Sequence, residues 1–117
     1  MTKRDRLAGL PPGIAAQLQT ELTHYPDVRQ VLLFGSRAMG TQRPNSDIDL
    51  CLDAPDMSFP TYLQIAGTLD ELVLPYSLDL VLKHHIDNPD FLHHIQCVGV
   101  VLYQHEGGRG QVSALQV

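Results

Sequence analysis

The apolar positions change their period several times along the chain, and each change marks an element. After the break at Pro11-Pro12-Gly13, Ile14, Leu18 and Leu22 recur every fourth residue, the stripe of an amphipathic helix that ends near Tyr25-Pro26. Val28 to Phe34 closes on the wholly apolar run Val31-Leu32-Leu33-Phe34, which predicts a buried first strand. From Ile48 to Asp53 the pattern alternates, with Ile48, Leu50 and Leu52 toward a core and Asp47, Asp49 and Cys51 on the other face. Ser58 as N-cap and Pro60 in the first turn open a helix carrying Tyr62, Ile65, Ala66, Leu69, Leu72 and Val73, closed by Pro75. Ser77 to Leu82 alternates again and predicts a third strand, with Leu78, Leu80 and Leu82 on one side and Asp79 and Val81 on the other. Asp87-Asn88-Pro89 caps a last helix through Phe91, Leu92 and Ile95, Gly99 ends it, and Val100 to Tyr103 reads as a final strand. Helices alternating with short strands agree with an α/β fold.

Between the first two strands lies the stretch most unlike ordinary scaffold. Gly35-Ser36 follows the apolar run directly, a glycine that lets backbone approach a ligand and a serine offering hydroxyl and amide. A short helical turn starting at Ser36 would aim free amides at an anion. Pro44 and Asn45 mark a turn, with Ser46 bonding locally in it, and Asp47 follows Ser36 after ten intervening residues. Asp47 and Asp49, two apart on one strand face, have Cα atoms about 6.5–7 Å apart, a separation suited to two carboxylates converging on one hard cation. Asp79 is an acid among apolar neighbours and needs a cationic or metal partner if buried.

The string Gly-Ser-Arg-Ala-x-Gly-x(5)-Ser-Asp-Ile-Asp-Leu, from Gly35 to Leu50, resembles the signature of the polymerase-β-like nucleotidyltransferase superfamily, and within it the minimal nucleotidyltransferases. The resemblance extends from about Val31 to Tyr103 and is specific, because Asp-x-Asp is joined to Gly-Ser at the family spacing between two apolar strands. It implies a small mixed β-sheet with flanking helices mainly on one side and the site at one edge, and that Asp47, Asp49 and Asp79 are a catalytic, metal-binding triad for two Mg²⁺ ions. It also implies that Gly35 and Ser36 bind the phosphates of ATP. Arg37 is assigned to the same nucleotide site, either touching triphosphate or tying down the loop. The implied reaction transfers AMP from ATP to a hydroxyl and releases pyrophosphate.

Composition narrows the partners. The chain has 117 residues, 44% of them hydrophobic, and a net charge of -5. It is expected to form one domain over residues 1–103 with a flexible tail over 104–117, Met1 to Leu10 being frayed. A net negative charge argues against direct nucleic-acid binding. No apolar run approaches the ~20 residues of a membrane span and the N-terminus is polar, so the expected compartment is the cytoplasm. Residues 1–43 carry +3 and residues 44–117 carry -8, with Arg37 and Arg43 just before Asp47, Asp49 and Asp53. A chain this short leaves no lobe for an acceptor, so the acceptor is expected to be another protein. Minimal nucleotidyltransferases commonly pair with a helical HEPN ribonuclease toxin and act as its antitoxin by adenylylation, which implies a hetero-oligomer. The alternatives are a non-catalytic subunit that masks its partner by binding, and a small-molecule transferase working as a dimer. His84-His85 and His93-His94 are adjacent pairs, and adjacent side chains diverge, so no zinc site is expected from them and they read as surface or partner-facing positions.

Overall fold

A computed structural model of the chain describes residues 7–105. Helix α1 spans Ile14–Leu22, strand β1 Gln30–Phe34, the short helix α2 Ser36–Met39 and strand β2 Ile48–Asp53. They are followed by α3 at Phe59–Leu72, β3 at Leu78–Leu82, a 3-10 turn at Lys83–His85, α4 at Pro89–Val98 and β4 at Val100–Gln104. The caps are those the sequence signals. Ser58 Oγ accepts from the Thr61 amide at 3.3 Å, and Asn88 Oδ1 accepts from the Asp90 and Phe91 amides at 2.8 and 3.3 Å.

The four strands lie in the order β3-β2-β1-β4, a mixed sheet in which β1 is antiparallel to both β2 and β4, while β2 and β3 run parallel. Strand alternation divides the core in two. On one face Val31, Leu33, Ile48, Leu50, Leu52, Leu80 and Leu82 pack with Ile14, Leu18 and Leu22 of α1 and with Ile65 and Leu69 of α3. On the other, Phe34 and Cys51 pack with Ile95 of α4, bordered by Leu32, Val81 and Phe91. Helices α1 and α3 thus cover one face and α4 the other, and the Asp49 side of β2 faces α4. Burial of these aliphatic side chains supplies about 25 cal/mol per Å² of apolar surface removed from water, the main favourable contribution to the fold.

Two expectations change. Leu7 to Leu10 is a turn docked on the body of the protein, with Leu10 buried and Leu7 packed against the core, because the Gly9 carbonyl is held by a buried guanidinium. Gln104, assigned above to the tail, belongs to β4, and the His105 amide donates to the Arg29 carbonyl at 2.9 Å. The rest of the expected tail, and residues 1–6, lie outside the described residues. Among the described residues no helix is long and apolar enough to cross a membrane.

Candidate active site

Sheet register assembles the site. Phe34 pairs with Asp49 across the antiparallel β1/β2 ladder, and Asp49 pairs with Asp79 across the parallel β2/β3 ladder. One row across three strands therefore carries Phe34, Asp49 and Asp79, with Gly35 stepping off its end. Asp47, one residue before β2, lies on the Asp49 face and is exposed, as is Asp79, whereas Asp49 is half-buried. The ring of Phe34 meets Phe91 of α4 edge-on at 5.7 Å between centroids and forms an apolar floor beside Asp49.

Asp49 is the electrostatic centre. Its carboxyl is pushed up to about 6 from 3.8, first by burial, then by the negative charge of Asp79 and finally by that of Asp47. Three mutually repelling carboxylates of hard oxygen donors suit a divalent cation, which would relieve both the desolvation and the repulsion. The donor set fits Mg²⁺. Among the described residues no three His, Cys, Asp or Glu side chains are already gathered as a finished cage.

Gly35 backs directly onto that acid. Its backbone has φ +73° and ψ -159°, a conformation open essentially only to glycine, and a β-carbon there would overlap Asp49 Oδ2. The Gly35 carbonyl then accepts from the amides of Ala38 and Met39, both at 3.1 Å, starting α2 at Ser36. The first amides of that turn precede any helical acceptor, as at every helix start. Gly35→Ala is expected to cost about 1–3 kcal/mol of stability through strain and to displace Asp49. Because a shift of about 1 Å at a reacting centre costs roughly 100-fold in rate, transfer activity should fall by at least that factor. Thermal melts and ATP-dependent transfer assays check both, and an active, unshifted variant would contradict the geometry.

Arg37 is held by main-chain carbonyls. It is 5% exposed, and its guanidinium donates to main-chain carbonyls: Nε and Nη2 to Ser46 at 3.1 and 3.0 Å, Nη2 also to Pro44 at 3.4 Å, and Nη1 to Gly9 at 2.8 Å. The Tyr76 ring stacks on it with the guanidinium carbon 5.3 Å from its centroid. These bonds tie the loop before Asp47 to the N-terminal turn. Ser46 Oγ accepts from the Arg43 amide at 2.7 Å, the local turn bond expected of it. Asp53, grouped above with the site acids, stands at the far end of β2, four positions from Asp49, and pairs with Lys83 at 3.9 Å. Burial pushes the Cys51 thiol up to about 11, against a lesser lowering by Lys83, so this cysteine is a core residue rather than a nucleophile.

The family described as polymerase beta, nucleotidyltransferase matches residues 16–107. The chain belongs to this family. A Methanocaldococcus jannaschii protein, MJ1379, provisionally named a protein adenylyltransferase, is 33% identical over 64 residues. That match covers 53% of this chain and spans 64% of the length of the curated relative. Among solved structures, a toxin–antitoxin complex with AMP-PNP superposes with a TM-score of 0.63 at 24% identity, covering 92% of this chain and 83% of that one. The MntA–HepT toxin–antitoxin superposes with a TM-score of 0.59 at 20% identity, covering 88% and 85%. At these identities the structures establish a shared fold, and the expected α/β nucleotidyltransferase architecture holds.

In this nucleotidyltransferase the sequence reading had no cue for Tyr62, whose hydroxyl donates to the Leu80 carbonyl at 2.6 Å. Burial and then the charge of Asp79 raise its phenol. Its signal in sequence was only a position on the apolar stripe of α3.

Proposed function

We propose that the chain transfers AMP from ATP to a hydroxyl of a partner protein, and that the partner is a helical HEPN-type ribonuclease toxin which the modification neutralises. The row Gly35, Asp49, Asp79, with Asp47 beside it, carries this reading: one glycine turn for phosphates against three carboxylates for cations. A relative named as a protein adenylyltransferase, and a fold shared with toxin–antitoxin structures, one of them with AMP-PNP, support the choice of substrate and partner. The -8 charge of residues 44–117 suits a basic partner, because opposite fields speed encounter.

The Gly35-Ser36 turn would bind the triphosphate through main-chain amides and the Ser36 hydroxyl. Asp47 and Asp49 would hold Mg²⁺ against it, with Asp79 on the side of the incoming nucleophile. The cations, when bound, neutralise charge on the attacking and leaving oxygens of an in-line displacement. The acceptor hydroxyl oxygen attacks the α-phosphorus, the bond from that phosphorus to the bridging oxygen breaks, and pyrophosphate leaves. Asp79 orients the acceptor hydroxyl, whose proton passes to Asp79 or water. Ser36→Ala is expected to weaken ATP binding or turnover by about 1–2 kcal/mol, the scale of one hydrogen bond to a charged group, with the fold unchanged. Steady-state kinetics at several ATP concentrations test this, and unchanged constants would leave Ser36 a turn residue.

The deciding experiment incubates the chain with its helical partner, ATP and Mg²⁺ and weighs both proteins by mass spectrometry. An added adenylyl mass on the partner, absent with the Asp47→Asn/Asp49→Asn variant, is the expected result. A partner neutralised by that variant with no mass added would replace enzymatic modification with masking by binding.

A further inference from the structure

Adjacent histidines diverge, but a helix brings together residues four apart. On α4 that pairing joins His93, from one of the histidine pairs, to Cys97: Nε2 and Sγ are 3.4 Å apart, and both side chains are exposed. The separation is informative. Zinc bonds of ~2.3 Å to sulfur and ~2.0–2.1 Å to nitrogen, set at a tetrahedral angle, hold the two donors about 3.6 Å apart. The pair stands at that spacing without rearrangement of the helix. Its chemistry is also opposite to that of the acid row, because a thiolate and an imidazole select zinc-like cations whereas carboxylate oxygens select Mg²⁺. Cys97 is six residues, about 9 Å of helix axis, beyond Phe91, which packs on Phe34 beside Asp49.

We propose that His93 and Cys97 form a second cation site on this protein, a bidentate site for Zn²⁺ or a related thiophilic divalent ion. On binding, the Cys97 thiol proton leaves to solvent as the sulfur–metal bond forms, and neutral His93 donates the Nε2 lone pair while keeping its proton on Nδ1. Among the described residues no third His, Cys, Asp or Glu completes the set, so water or a donor from another molecule fills the remaining positions. The site is independent of the transferase reading.

Titrating the reduced, full-length, untagged chain with Co²⁺, whose thiolate charge-transfer absorption reports sulfur ligation, tests it. The absorption should appear, be abolished by stoichiometric Zn²⁺, and persist in excess Mg²⁺ and in the Asp47→Asn/Asp49→Asn variant. Cys97→Ser should remove it, and His93→Ala should weaken binding by at least about tenfold, the smallest loss typical even of indirect ligand support. His94→Ala, one position round the helix, should bind as wild type does. Because all three side chains are exposed, the variants should fold normally, which circular dichroism confirms. No charge-transfer band, a band that survives Cys97→Ser, or equal affinity in His93→Ala would each overturn the proposal.

Discussion

Replacing Asp47 and Asp49 together by asparagine is expected to abolish nucleotidyl transfer, below about one part in a thousand of wild type, while leaving the protein folded. Asparagine keeps the shape of each side chain but removes the charge that would hold a divalent cation against the triphosphate, and metal charge supplies several kcal/mol of transition-state stabilisation in such displacements. The fold should tolerate the change because neither side chain makes an ion pair among the described residues; Asp49 instead bears the cost of burial beside like charges. The sign of that cost is testable by itself. A carboxyl whose folded value, about 6, lies above its unfolded 3.8 favours folding below the lower value, and that contribution is lost as pH rises through the higher. Without metal, the wild type should therefore lose about 1 kcal/mol between pH 4 and 7 at this group, after discounting for solvent screening, and Asp49→Asn should not. Urea melts at both pH values with EDTA present give the comparison. Near-wild-type transfer by the double variant would remove the mechanism.

The largest effect on stability is expected at Arg37. Arg37→Ala deletes the donors to the Gly9, Pro44 and Ser46 carbonyls and the stacking on Tyr76, leaving polar groups without their partners in a nearly closed site. Leaving a buried acceptor without its donor costs about 1–3 kcal/mol, a large share of the 5–15 kcal/mol that holds a domain of this size. Arg37→Lys should recover only part, because one ammonium cannot span the three carbonyls that a planar guanidinium reaches. Thermal denaturation reads the loss. Partial proteolysis should in addition show Leu7–Leu10 released, since Gly9 is held through this side chain. An unchanged melting temperature in Arg37→Ala would show the tie to be dispensable.

Much of this protein is legible in its residue pattern. The stripe of Ile14, Leu18 and Leu22, the Ser58 and Asn88 caps and the alternation through Ile48–Asp53 each report a local balance between water and core, and each element forms where that balance predicts. The same alternation puts Asp47 and Asp49 on one side of one strand. Tertiary structure decided what lies opposite. That Asp79 stands beside Asp49 depends on β2 and β3 pairing in parallel register, and that Asp53 leaves the site for Lys83 depends on the length of the strand between them. For Arg37 only its charge and its place in the loop were visible, which left a phosphate contact and a loop tie equally open. Its partners are backbone carbonyls, one of them 28 residues away, and every residue has such a carbonyl, so no side-chain pattern could announce them. Local sequence states which groups must be buried or satisfied, whereas long-range packing chooses the groups that satisfy them.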